Sequence, residues 1–303
     1  MSDATTTTET LPPVMWAASD SQLLPHGIEL GASHLTVRSL DRALPWYTDA
    51  LGLTVAEQTQ TSARLASAGG DVVVELTEDP AATAPGRSAG LYHVALNMGR
   101  LELSRMVRRI VQAGATIEGA SDHGTHEAIY LPDPDGNGFE LAADRDRADW
   151  PDWNEHPGSI QPQALDIEAL FAVSGDDTIP RHAESVTTGH LHLHVGDIDE
   201  GLAHYRDIVG FDVKFHMPTA AFVSADGYHH HLGFNVWNGL GVSGAPEHST
   251  GLRYWSVIVP TRDDVRALEV RLTLAGSDVF RDHDGALLVP DPWGTTLRVT
   301  ARD

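Results

Sequence analysis

Leu35-Thr-Val-Arg-Ser-Leu-Asp-Arg-Ala-Leu-Pro-Trp-Tyr-Thr-Asp-Ala-Leu-Gly-Leu53 recurs as Leu193-His-Val-Gly-Asp-Ile-Asp-Glu-Gly-Leu-Ala-His-Tyr-Arg-Asp-Ile-Val-Gly-Phe211. Leu35, Val37, Asp41, Leu44, Tyr47, Asp49 and Gly52 keep their identities in the second copy. Gly52 and Gly210 stand where a helix needs its C-terminal glycine. Gly90-Leu-Tyr-His-Val-Ala-Leu-Asn97 recurs as Gly251-Leu-Arg-Tyr-Trp-Ser-Val-Ile258, and Asp133-Pro-Asp-Gly-Asn-Gly138 recurs, degraded, as Asp291-Pro-Trp-Gly-Thr-Thr296. The chain is a duplication with an offset of roughly 160 residues.

Each half holds two similar sub-blocks, a strand, a helix and then further strands. Four modules result, beginning near Gly31, Gly90, Gly189 and Gly251. Leu101 to Gly114 places apolar residues at helical spacing and ends on glycine, and Asp263 to Gly276 repeats the design. The spacing predicts an α+β protein dominated by strands. Residues 1–28 are polar and threonine-rich, with Pro12-Pro13, and are expected to form a loosely draped tail. Residues 29–145 then form the first pair of modules, 146–186 a linker and 187–303 the second pair. The linker carries Asp149-Trp-Pro-Asp-Trp153, whose tryptophans read as packing anchors, and a short helical patch, Ala164 to Phe171. Trp46, Tyr47 and Tyr205 read as core at helical spacing.

Inside the second module, Asp133-Pro-Asp-Gly-Asn-Gly138 is turn chemistry, so Ala128-Ile-Tyr-Leu131 and Phe139-Glu-Leu-Ala142 read as the arms of a hairpin. Phe139, Glu140 and Leu141 alternate, which turns Glu140 away from its apolar neighbours into solvent or a polar cup. The whole run from His123 to Glu140 strings a histidine, a phenol and a carboxylate at fixed offsets, a spacing that marks a metal site. Taken singly, His123, His126 and His229 read as ordinary surface or core histidines, and Tyr130 as an ordinary strand aromatic.

On these repeats and motifs the chain resembles the vicinal oxygen chelate superfamily, and within it the extradiol ring-cleaving dioxygenases of the catechol 2,3-dioxygenase type. The resemblance runs from about Gly31 to Thr300. The family signature is met by His123, Ile129-Tyr130, Asp133-Pro134, Gly136 and Glu140, with Ser121 a departure two positions before His123. The resemblance implies four βαβββ modules forming two cup-shaped sheets, with a metal held by two histidines and one carboxylate. Residue by residue it implies His93, Glu140 and His190 as ligands. At the equivalent places Ala32, Tyr254 and Arg298 offer none, and Glu75 is a polar cup residue. Neither half owns a full ligand set, so the working cup is expected between modules two and three, with one and four forming a degenerate cup.

The resemblance further implies a non-haem Fe(II) cofactor, with Mn(II) as the alternative, and a small aromatic diol and O2 as reaction partners. It assigns acid-base work to a histidine in Tyr228-His229-His230-His231. Superposing the internal repeats sets His231 over Glu75 and Glu140, while the family pattern selects His230. Strand alternation would put His229 on the side of His231. Tyr130 would hydrogen-bond the bound substrate oxygen, with His123 assisting behind it. Two other activities on this scaffold stay open at the level of sequence: a glyoxalase-like isomerase or epimerase, and a metal-free protein that sequesters an aromatic compound or drug.

Composition agrees. At 303 residues the chain can bury two cores. A net charge of -23 repels nucleic acid and anionic membrane. The absence of cysteine excludes disulfides and thiolate metal sites. No window of about eighteen apolar residues appears, and the start lacks a basic-then-apolar leader, so a cytoplasmic location is expected. Exposed sheet edges leave room for a homo-oligomer.

Overall fold

A computed structural model describes residues 23–151, 161–175 and 178–302. Residues 1–22 of the expected tail, and Trp153, lie outside them. Each module is βαβββ. The first has strand Ser33–Val37, helix Leu40–Pro45 running on as the wider turn Trp46–Ala50, and strands Thr54–Gln58, Ser62–Ala66 and Val72–Glu78. The second has strand Gly90–Asn97, helix Arg100–Ala113, and strands Gly119–Asp122, His126–Pro132 and Gly138–Asp144. The third has Thr187–His194, helical turns Ile198–Leu202 and Ala203–Val209, then Asp212–Met217, Ala220–Ser224 and Leu232–Asn235. The fourth has Gly251–Val259, helix Arg262–Leu274, then Phe280–Arg281, Leu287–Pro290 and Thr296–Ala301.

In every module the first strand pairs in parallel with the last: Leu35 opposite Leu76, Val94 opposite Phe139, Leu193 opposite Phe234 and Trp255 opposite Leu297. Across modules, Gly90–Asn97 lies antiparallel to Thr187–His194, with His93 opposite His192. Ser33–Val37 lies antiparallel to Gly251–Val259, with His34 opposite Tyr254. The cups therefore join modules two with three and one with four.

The apolar cores follow a different partition. One gathers Leu35, Leu76, Val94, Leu96, Phe139 and Leu141 with the helical Tyr47, Met106 and Ile110. The other gathers Leu191, Leu193, Phe234, Trp255 and Leu297 with Tyr205, Leu268 and Leu272. Strand alternation produces both arrangements at once: apolar side chains face helices of the same half, while the opposite faces line cups shared between halves. Leu165, Leu170, Ala183 and Val186 of the connecting segment join the first core. At the other end, Leu24 and Ile28 are buried in the second core rather than draped outside it.

The repeated tyrosines clamp each half. Tyr47 donates to Asp133 Oδ2 at 2.8 Å, and Tyr205 donates to Asp291 Oδ2 at 2.9 Å, so one module's helix is tied to the next module's turn. Both tyrosines are fully buried. Tyr47→Phe removes a hydroxyl from a buried carboxyl and should cost about 1–3 kcal/mol. Urea unfolding should show a lower midpoint at unchanged slope.

Burial also makes the fold acid-sensitive. His204 packs edge-on to Tyr205 at 4.8 Å with no partner for Nε2, and burial pushes its imidazole down to about 4. Unfolded, it titrates near about 6.5. The stability it contributes is thus complete above that pH and is lost as pH falls through about 4. Asp291 works in the opposite sense, since burial raises its carboxyl to about 6: it favours the fold below its unfolded value and loses that contribution as pH rises through about 6. His204→Phe should move the acid midpoint followed by circular dichroism to lower pH, with a gain of up to roughly 3 kcal/mol near pH 4.

Candidate metal centre

Thr187–His194 ends His190-Leu-His192-Leu-His194, and the leucines belong to the second core, so all three imidazoles face the cup. Opposite, Val94 and Leu96 face the first core and leave His93 and Ala95 inside the cup. Phe139, Leu141 and Ala143 likewise face the core, which turns Glu140, Ala142 and Asp144 inward.

His93, Glu140 and His190 are brought together. Glu140 Oε2 lies 3.0 Å from His93 Nε2 and 3.3 Å from His190 Nε2, and all three residues are buried. One ligand atom from each lies within 4.8 Å of the others. His93 Nε2 and Glu140 Oε1 are buried and make no well-aligned hydrogen bond, although each has a polar atom of the cluster 3.0 Å away. Buried polar atoms so poorly satisfied are costly in a closed site, and a cation would receive them. Burial alone would raise the Glu140 carboxyl, but His190, His126 and His93 outweigh it and hold it well below the usual carboxylate range. Burial lowers the His190 imidazole. Anionic carboxylate beside neutral imidazole is the donor state that a divalent cation requires, and the residues fit one.

His126, read from sequence as an ordinary histidine, reaches the same carboxylate, with Nε2 3.0 Å from Glu140 Oε1. It shares the inward face of its strand with Ala128 and Tyr130, which pair with Ala142 and Glu140 across the hairpin. Two alanines leave the space through which the imidazole leans. Period two counted back from Tyr130 would have found it. His192 was also passed over; it stacks edge-on to His93 at 5.1 Å and receives the Asn235 Nδ2 amide at 2.9 Å. The alternation His190, His192, His194 was its signal.

Tyr130 pairs with Glu140, and its hydroxyl lies 2.7 Å from His123 Nε2. Burial, then the Glu140 charge, raises the phenol far above its ordinary value, so it stays protonated. His230 packs against His190 with ring centres 4.2 Å apart and edge-on to Phe222 at 5.1 Å. His231 points elsewhere: its Nδ1 accepts from the Ala225 N–H at 3.1 Å, and the residue lines the cavity of the other cup. Two expectations are corrected. The superposition of His231 on Glu75 fails by two residues, because Gly233 lies opposite His192 as Glu75 lies opposite His34. His229 does not share the side of His231 but stacks on His126 at 4.8 Å. The strand begins only at Leu232, so alternation does not govern the three histidines.

The second cup keeps the shape but places no matching donor where the first has His93 and Glu140. Ser256 lies opposite Arg298 as Ala95 lies opposite Glu140, and Tyr254 occupies the place of His93. Arg298 pairs with Asp282 at 2.7 Å, while Glu75 accepts from Tyr254 at 2.6 Å and Arg64 at 3.0 Å. A cavity of about 1380 Å³ opens here. Among the described residues no helix is long and apolar enough to cross a membrane.

Comparison with known proteins agrees with this architecture. Residues 29–141 match the Glyoxalase/Bleomycin resistance protein/Dioxygenase superfamily. The chain is 38% identical over 268 residues to a catechol-2,3-dioxygenase of Bacillus subtilis (strain 168), covering 87% of this chain and 93% of the relative. A solved Bacillus subtilis structure, whose dioxygenase assignment is provisional, superposes with a TM-score of 0.64 at 12% identity, covering 90% of this chain and 85% of the other. Glyoxalase I from Zea mays superposes with a TM-score of 0.56 at 17% identity, covering 90% and 92%. With its four βαβββ modules, and with a relative this similar over most of both chains, the protein belongs to the glyoxalase/bleomycin resistance/dioxygenase, or vicinal oxygen chelate, superfamily.

Proposed function

We propose that the chain is a non-haem Fe(II)-dependent extradiol dioxygenase that cleaves a catechol-like ring with O2, with Mn(II) as the alternative metal. The observation that carries this reading is the convergence of His93, Glu140 and His190, two imidazoles and one carboxylate, with poorly satisfied buried donor atoms and no thiolate in the chain. That donor set suits Fe(II), which when bound supplies adjacent open positions for a diol and dioxygen. The relative named catechol-2,3-dioxygenase supports the same chemistry.

In this reading the cup does the remaining work. Tyr130, kept protonated, donates to a substrate oxygen, and His123 holds its hydroxyl in place. His230, beside His190, accepts the proton of the second hydroxyl and returns it later. An isomerase of this scaffold would want a second carboxylate as proton acceptor on the strand facing Glu140, where the other cup has Glu75; here Gly233 stands in that place.

Anaerobic loading with Fe(II), then catechol and air, should yield a yellow semialdehyde with one O2 consumed per ring. No ring opening across a panel of catechols and hydroquinones would overturn the reading.

A further inference from the structure

Beside the proposed ligands lies a chain of three polar groups, none of them a proposed ligand, of which His230 alone faces the substrate. Asp144 Oδ1 lies 3.2 Å from His229 Nε2, and His229 Nδ1 lies 2.8 Å from His230 Nδ1. We infer that Asp144 and His229 are positioning residues that fix the tautomer of His230, leaving its lone pair on Nε2.

Asp144 Oδ2 already accepts from the Asn97 amide at 2.9 Å and the Tyr228 hydroxyl at 2.6 Å. An ionised carboxylate can only accept. The hydrogen between Asp144 and His229 therefore sits on His229 Nε2. Neutral imidazole carries a single N–H, so His229 Nδ1 is an acceptor. The hydrogen in the second link must then belong to His230 Nδ1, and Nε2 of His230 is left bare. Burial would raise the Asp144 carboxyl, but the bonds from His229 and Tyr228 outweigh it and hold it below the usual range, so it is the acceptor of both.

Packing holds the arrangement. The His229 ring is stacked on His126, 17° from parallel, and Trp150 abuts it at 5.1 Å. Turning the ring over would present C–H to both Asp144 and His230. Asn97 and Asp144 come from module two and Tyr228 to His230 from module three, so the relay spans the junction that builds the cup.

The role rests on the dioxygenase reading: a bare Nε2 is what lets His230 take a proton from a bound hydroxyl. His230 with Nε2–H instead would face that hydroxyl as a donor. This parallels the general way in which a carboxylate sets a catalytic histidine's tautomer through one ring nitrogen to free the other.

The test reads the tautomer directly, on metal-free protein without diol. In 15N-histidine-labelled wild type, with His230 assigned by its loss in His230→Gln, Nδ1 should be the protonated nitrogen and Nε2 the unprotonated one. His229→Phe keeps a ring against His126 and Trp150 but offers no acceptor, and should shift His230 to the Nε2–H form. Asp144→Ala should give a mixture of the two. Circular dichroism confirms that each variant is folded. Nε2–H in the wild type, or an unchanged tautomer in folded His229→Phe and Asp144→Ala, would overturn the relay. With Fe(II) loaded, His229→Phe should lose about 10²-fold or more in kcat at unchanged KM. Because the spectra need neither metal nor turnover, failure of ring cleavage in wild type would defeat the dioxygenase reading alone, and an Nε2–H His230 would defeat the relay alone.

Discussion

Glutamine in place of Glu140 is expected to leave the protein folded but to abolish both metal retention and ring cleavage. The side chains are nearly the same size, so the packing of a fully buried position is kept. What changes is charge. His93, His126 and His190 all lie within 3.3 Å of the carboxylate oxygens, and a neutral amide can donate to their lone pairs instead of joining them around a cation. The variant should gain local hydrogen bonds as it loses its affinity for metal. The loss should exceed the roughly 100-fold that removal of a supporting residue costs. Metal analysis after Fe(II) loading and oxygen uptake with catechol check both halves of the expectation. Full metal occupancy in Glu140→Gln would remove the carboxylate from the proposed centre.

A single methyl group should do almost as much damage at Gly138. A Cβ built there would meet the Tyr92 carbonyl oxygen at 2.1 Å, and nothing about that neighbour is flexible, since it is backbone. Tyr92 precedes His93, and Gly138 opens the strand that carries Glu140. Gly138→Ala must therefore push apart the strands that bear two of the three proposed ligands. A loss of about 3 kcal/mol is expected, at the upper end of what overpacking costs. Metal affinity should fall with it. The corresponding place in module four holds Thr296, away from any donor set, which makes Thr296→Ala a mild control. Thermal melts with and without Fe(II) separate the two effects: a stable Gly138→Ala that still binds metal would contradict the contact.

Much of this was legible in the sequence because duplication prints the same local physics twice. Tyr47 and Tyr205, Asp133 and Asp291, and the helix-ending glycines recur at matching places, and each pair does the same job in its own half. The inward face of a strand is equally readable wherever its outward face is apolar, as in the run from His190 to His194. The rest failed where periodicity stops. His229 to His231 precede their strand, so no rule of alternation orients them, and their roles are set by Asp144 and Trp150, remote in sequence, and by the backbone of Ala225. His126 needed the cross-strand register and the two alanines beside it. The burial of Leu24 and Ile28 is a tertiary fact: a short apolar pair in a polar stretch says nothing of the groove it fills.

The two ways of dividing the molecule, helices sharing a core within a half and strands sharing a bowl between halves, bind the fates of its two bowls together. The one without the His93, Glu140 and His190 set cannot be discarded, since its strands are continuous with the modules that hold up the other. On the proposed reading, however, its interior takes no part in the ring cleavage. On that reading substitutions around Tyr254, Glu75 and Arg298 should be answerable only to folding, which would make that chamber the natural ground on which a lineage, or an engineer, could raise a second specificity without disturbing the first.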